Sequence, residues 1–232
     1  MNDMKKENAI VLLSGGIDST VLLHYVKNSL HYKNVYGLSF DYGQKHKKEL
    51  IQAKTVGLEL CKKWKLVNLD FLKSIGGSSL TDENVTIPTS NMNQQFTIVP
   101  NRNMIMISIA GAWANRIGGG TIFLGASKSD EIVYMDCRKE FIIALKHALK
   151  LSLPDNSMYP RYPTVDLIAP FVDNKWDKKD VVKYGLEHDL NFEKMWTCYE
   201  GKEKPCMKCG ACKERLEAMN DNGVDYYGKK IK

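Results

Sequence analysis

Residues 11–22 read VLLSGGIDSTVL: a β-branched apolar run, two glycines, an Asp and a Ser, then a second apolar run. The first run suits a strand and the second a helix, so the glycines fall at the turn between them. In an open α/β sheet such a turn lies at the carboxyl end of a strand, where ligands bind. Gly15 and Gly16 can take backbone angles closed to other residues, which lets main-chain N–H groups approach an anion. The helix behind them adds unpaired N–H groups and a positive dipole end, so phosphate is the natural guest. Ser14 and Ser19 can add hydroxyl donors, and Asp18 can cap the helix or help hold a hydrated magnesium ion. An ordinary glycine turn with Ser/Asp capping would explain the same residues without a ligand. The segment lacks both the lysine of G-x-x-x-x-G-K-[ST] and the spacing of G-x-G-x-x-G, so it is neither of those phosphate motifs.

Outward from this turn, short apolar runs at AIVLL (9–13), VYGLSF (35–40), KLVNL (65–69) and TIFLGA (121–126) read as strands covered on both faces. Helical spacing follows each of the first two, in STVLLHYVKN (19–28) and QKHKKELIQAKTVGLELCKKW (44–64), and recurs in RNMIMISIAGAWANRIG (102–118). Alternating strand and helix predicts an α/β fold with a parallel sheet flanked by helices. Further helices are expected near RKEFIIALKHALKL and KKDVVKYGLEHDL, on either side of a proline-containing stretch from Pro154 to Pro170. Residues 73–100 read as a long loop or insertion, of a length that is often functional. The expected organisation is a nucleotide-binding catalytic unit over 1–194 and a small four-cysteine module with the C-terminal tail over 195–232.

The chain has 232 residues, enough for one large domain with additions, and 33 Lys+Arg against 27 Asp+Glu give a net charge of +6. That balance favours anionic ligands only weakly. No run approaches the ~20 apolar residues of a membrane helix, and the polar start is unlike a secretory signal, so a cytoplasmic protein without membrane association is expected. Cys198, Cys206, Cys209 and Cys212 cluster near the C-terminus, which suits a metal better than disulfides in a reducing compartment. Four thiolates favour zinc, although the C-x-x-C-x-x-C rhythm also fits iron–sulfur ligation. A nucleic-acid-binding ribbon is the other use of such a module. Here Lys202, Lys204, Lys208 and Lys213 are mixed with Glu200, Glu203 and Glu214, a poor groove for a polyanion.

Ser14-Gly15-Gly16-Ile17-Asp18-Ser19 resembles the S-G-G-x-D-S loop of the ATP pyrophosphatases, which bind a triphosphate there and transfer AMP to a substrate oxygen. FDYGQKH (40–46), VPNRN (99–103), DCRKEF (136–141) and TCYEGKEKPCMKCGAC (197–212) extend the resemblance, in order and spacing, to the 7-cyano-7-deazaguanine synthases. It covers the chain from about residue 9 to 215. The resemblance implies an adenine nucleotide alpha hydrolase-like, Rossmann-like fold and an ATP-dependent C–N ligase. Its substrates would be 7-carboxy-7-deazaguanine and ammonia; amide and then nitrile would form, with one ATP spent on each step. ATP, Mg2+ and Zn2+ are the implied cofactors, and a homodimer the implied assembly.

Carried over residue by residue, Leu13, Ser14, Gly15, Gly16, Ile17, Asp18, Ser19 and Thr20 would bind ATP, with Asp18, Ser19 and Lys178 as the catalytic set. Asp41, Gln44, His46, Arg102, Asn103, Asp130, Tyr134, Asp136 and Arg138 would bind the deazapurine acid, through bidentate and amide hydrogen bonds. Cys198, Cys206, Cys209 and Cys212 would hold zinc. Each assignment has a plainer counterpart: Arg138 and Glu140 as a solvated pair at a helix start, Asp136 as its N-cap, His46 and Lys178 on solvated helix faces. No residue stands out as general base, because an attacking ammonia can need only positioning.

The chain departs from the family pattern where Asn101 replaces the glycine of V-P-G-R-N, a position Asn tolerates because it visits left-handed angles. In SDEIVYMDCR (129–138), Glu131, Ile132, Val133 and Met135 replace flexible and aromatic residues, which predicts a stiffer, bulkier segment. Met207 stands for a usual Gly, and Gly210 for a usual Asp. These changes raise a second reading, in which the chain resembles synthase relatives from antiphage gene clusters that couple the carboxylate to a protein amine and stop at the amide. A reading from another class is a non-catalytic, zinc-dependent nucleic-acid-binding protein.

Overall fold

A computed structural model describes residues 7–45, 47–89, 91–155 and 163–231. His46 and part of the Pro154–Pro170 stretch lie outside them. β1 (Asn8–Leu12) leads through the glycine turn into α1 (Ile17–His24), which a π-helical turn, Tyr25–Ser29, prolongs. β2 (Asn34–Asp41), α2 (Lys48–Leu60), β3 (Lys63–Asn68) and α3 (Phe71–Ile75) follow; α4 (Arg102–Arg116) then leads to β4 (Gly120–Phe123). The chain continues through α5 (Asp130–Val133), α6 (Lys139–Ser152), β5 (Val165–Ile168), α7 (Pro170–Asp173), α8 (Lys178–Glu187) and α9 (Gly210–Asn220).

The five strands form one parallel sheet in the order β3-β2-β1-β4-β5. The chain winds from β1 outward to β3, then restarts beside β1 with β4. The strand order therefore reverses between β1 and β4, and this switch point opens a crevice at their carboxyl ends. In β1, Ala9 and Val11 pack into one core with α1 and α8, while Ile10 and Leu12 pack into the other with α4 and α6. This two-sided burial explains the nearly continuous apolar run.

β3 differs from that expectation. It is the edge strand, with Lys63, Lys65, Leu66 and Asn68 exposed. It also starts inside the segment read as the second helix, because α2 ends at Leu60 and Lys62 N–H already donates to Val35 O at 2.8 Å. β5 lies within the proline-containing stretch. Its four residues alternate buried and half-buried, too short a run to stand out beside flanking prolines. Within the 73–100 segment, Asn91–Thr97 form a 3-10 helix, and Ser78, Ser79, Leu80 and Thr81 are buried. No helix among the described residues is long and apolar enough to cross a membrane.

Candidate active site

Gly15 has φ +88°, and a Cβ built there would lie 2.2 Å from Glu49 O and 2.6 Å from Ala53 N. Glycine is therefore what lets α2 press against the turn. The turn folds around Ser19, whose Oγ accepts the N–H groups of Ser14 at 3.1 Å and Gly15 at 3.2 Å. Gly16 N-caps α1 without a side-chain capping bond, which leaves that helix end open to an anion. Gly15 O is held in turn by Trp196 N–H at 3.0 Å, so the cysteine-bearing segment braces the turn from outside.

Asp18 and Lys178, 160 residues apart in sequence, meet here at 2.5 Å between Lys178 Nζ and Asp18 Oδ2. Lys178 opens α8, where Asp177 and Asp180 form a capping box, and its side chain is nearly fully buried, with Glu214 Oε2 at 3.6 Å. Burial alone would lower its pKa; Asp18, Glu214 and Asp130 override this and hold it above the ordinary lysine value. Burial pushes the Asp18 carboxyl up against the pull of Lys178. Asp18 Oδ1 is buried and has no partner among the described residues.

The cleft above the turn encloses about 250 Å³ and runs from this ion pair to a second polar wall. Arg102, the first residue of α4, is placed by Asn101, which N-caps the helix with φ 55° and keeps the left-handed turn expected there. Its guanidinium lies 5.4 Å from the Tyr42 ring centroid and reaches the Tyr42 hydroxyl at 3.5 Å. Gln44 Oε1 accepts Tyr42 N–H at 2.9 Å, and its Nε2 donates to Glu49 Oε1 at 3.1 Å. Tyr134 joins Thr97 through their hydroxyls at 2.7 Å. Asp130 accepts Ser127 N–H and Oγ–H at 2.8 and 2.9 Å, closing the turn after β4.

The cleft thus gathers Leu13, Ser14, Gly16, Ile17, Asp18 and Ser19 with Lys178 and Asp130, together with Gln44, Arg102, Asn103 and Tyr134. Gly15 and Thr20 lie behind the turn. Asp41, Asp136 and Arg138 do not line the cleft: Asp41 pairs with Lys47 at 2.5 Å, and Arg138 Nε donates to Glu131 O at 3.0 Å. Asp136 Oδ2 accepts Asn103 N–H at 3.0 Å, so it caps α4 rather than its own following helix, α6. The bulky residues of 129–138 point outward, with Ile132 79% and Met135 57% exposed, so the cleft stays open. Sequence reasoning missed Glu49, Tyr42, Trp196, Tyr199 and Glu214, all of which line the cleft.

The last segment brings the four cysteines together. Their sulfur atoms lie within 4.8 Å of one another, all free of disulfides, a set that could hold one metal ion. Cys198 Sγ accepts Cys206 N–H, and Cys206 Sγ accepts the N–H groups of Lys208 and Cys209, at 3.3, 3.4 and 3.3 Å. This pattern suits thiolates. Met207 at the tip has φ 59°, so the residue that replaces a usual glycine keeps a glycine conformation. Met207→Gly is expected to stabilise the protein by about 1 kcal/mol, measured by denaturant unfolding.

Residues 8–223 match the family model described as queuosine biosynthesis protein QueC. The chain belongs to the QueC family. A 7-cyano-7-deazaguanine synthase of Caldicellulosiruptor bescii is 42% identical over 93% of this chain and 94% of its own length. One from Marinomonas sp. is 40% identical over 94% and 95%. The U34-tRNA thiolase NcsA from Methanococcus maripaludis, solved with its [4Fe-4S] cluster, gives a TM-score of 0.45 at 15% identity, over 96% of this chain and 69% of that one. The QueC-family chain is an enzyme, and its helix-flanked parallel sheet with a C-terminal cysteine segment is the fold class expected from sequence.

Proposed function

We propose that this QueC-family enzyme converts 7-carboxy-7-deazaguanine to 7-cyano-7-deazaguanine with ammonia and ATP. In the first step the substrate carboxylate attacks the α-phosphorus and pyrophosphate leaves; ammonia then displaces AMP to give the amide. In the second step the amide oxygen is adenylated, and loss of AMP with an N–H proton leaves the nitrile. The observation that carries this reading is one cleft lined by the glycine turn at the open end of α1, by Lys178 and by Arg102. The open end of α1 and Lys178 would hold the triphosphate, while Arg102 would hold the carboxylate. Asp18 Oδ1, buried and unpartnered, fits a ligand to hydrated Mg2+, which would neutralise phosphate charge. The four-sulfur set fits Zn2+ in a closed tetrahedral site.

The test is incubation with the acid, ATP, magnesium and ammonium, with products read by mass spectrometry. Free nitrile and two AMP per nitrile are expected. Pyrophosphate release that ignores the acid would overturn the proposal, and salt-sensitive, ATP-independent RNA binding with no such release would replace it by the nucleic-acid reading. Exposed Ile132 and Met135, in the segment that carries cleft residues Asp130 and Tyr134, favour one alternative, a macromolecular amine acceptor. Amide attached to a partner protein, with no nitrile, would establish it.

A further inference from the structure

Glu49 has no part in the chemistry above, yet it is held with more care than a solvated helix residue. It stands in the first turn of α2, and its own carbonyl abuts the Cβ position of Gly15, which fixes it relative to the phosphate end of the cleft. Gln44, itself pinned by Tyr42 N–H at 2.9 Å and Phe40 O at 3.4 Å, donates to Glu49 Oε1. Among the described residues no hydrogen bond engages Oε2. One carboxyl oxygen is tied down, and the residue lines the cleft.

Among the described residues, the charged and titratable groups that face Glu49 are Arg102 from α4 and Asp41 and Tyr42 from the end of β2. Burial raises the Glu49 pKa, Arg102 and the Gln44 hydrogen bond lower it, Asp41 raises it, and the result is about 7. Such a group gains and loses a proton readily at neutral pH, as proton transfer requires.

We infer that Glu49 is the ammonium subsite and proton acceptor of amide formation, receiving ammonium beside the carboxyl group held by Arg102. This rests on the synthase reading above. Glu49 carboxylate takes one proton from ammonium and becomes the neutral acid. The freed nitrogen lone pair forms the C–N bond as the C–O bond to AMP breaks, and the surplus N–H proton departs with AMP. The charges suit the two guests: a cation for the acid and, next to it, a carboxylate for the amine.

The experiment measures kcat/KM for total ammonium between pH 6 and pH 9. In the wild-type protein it should be flat above about pH 7, where Glu49 is ionised and ammonium still dominates, and fall below. Glu49→Gln should instead climb about tenfold per pH unit across the range, tracking free ammonia. Carboxylate-dependent ATP–pyrophosphate exchange needs no ammonia, so a variant that catalyses it is folded and forms the adenylate. A wild-type profile that itself tracks free ammonia overturns the inference without any variant. So does a Glu49→Gln defect confined to the KM of the acid, which would make Glu49 a reader of ring N–H groups. Absence of exchange in the wild-type protein would refute the synthase reading, and this subsite with it. Stability gives an independent readout. The folded pKa lies above the ordinary glutamate value of about 4.5, so ionising Glu49 destabilises the fold as pH rises from about 4.5 to about 7. Glu49→Gln should therefore melt higher than wild type above pH 7 and with it below pH 4.5.

Discussion

Lys178→Met is expected to cut AMP formation by about a thousandfold and to cost about 3 kcal/mol of stability at pH 8. The substitution keeps the length and apolar stem of the side chain and removes only the ammonium. That ammonium is bonded to Asp18 at 2.5 Å and lies 3.6 Å from Glu214, with the Asp130 carboxyl also within electrostatic reach. Without it, three carboxyl groups share one partly buried site. The folded pKa of Asp18, already raised by burial, then rises further above its unfolded value. A raised carboxyl pKa takes stability away as pH climbs from the unfolded to the folded value, so the loss should be largest at alkaline pH and shrink in acid. Asp18→Asn should be as inactive yet milder for stability, because the amide oxygen still accepts from Lys178. The double variant Asp18→Asn/Lys178→Met should then be no less active than either single one, as expected of groups that act together. Denaturant unfolding at pH 5 and pH 8, with pyrophosphate release, checks all three. Turnover by Lys178→Met near the wild-type rate would remove the pair from the chemistry.

That pair also marks how much of the site could be read from sequence. The turn at 11–22 was legible because strand, glycine pair and helix start are adjacent, and local chemistry dictates their arrangement. Asp18 came with it. Its partner did not come from local pattern, since Lys178-Lys179 at a helix start looks like a solvated face until α8 is packed against α1. Glu49 was hidden the same way: it follows three lysines and a histidine, and only the approach of α2 to Gly15 turns it toward the cleft. Asp136 shows the reverse. Its capping chemistry was legible, but the helix it caps is α4, from another part of the chain. β5 escaped because four residues between prolines carry too little periodicity. Local rules thus find turns and caps, whereas tertiary contacts decide which polar side chains share a cavity.

The largest effect of all is expected from Cys209→Ser. Cys209 is 1% exposed, N-caps α9, and is one of four sulfurs within 4.8 Å of one another. Structural zinc binding is worth on the order of 10 kcal/mol to segments that depend on it, and a serine oxygen is a far weaker ligand for such a site. The segment after Met195 has little core of its own: the cysteines, Ala211 and Tyr226 form a small cluster. Arg215, 2% exposed, donates to the carbonyls of Met195, Phe192 and Tyr226 at 2.7, 2.7 and 3.0 Å, with no carboxylate partner among the described residues. A tetrathiolate around a divalent ion carries net negative charge, which offsets that buried cation. Removing a ligand removes both the crosslink and the counter-charge. The first turns of α9 should then loosen, and with them Glu214 and the Trp196 bond to Gly15, so the damage reaches the glycine-turn end of the cleft, while Ala218, Met219 and Val224 keep the far end of the helix in the main core. Hydrogen exchange should show residues 195–214 unprotected while β1, β2 and β4 stay protected. Metal analysis of the wild-type protein should give one zinc per chain and a colourless solution, whereas a brown protein with bound iron would assign the cysteines to an iron–sulfur cluster instead. Retention of metal, protection and turnover by Cys209→Ser would show that the cysteine cluster does not build this cleft.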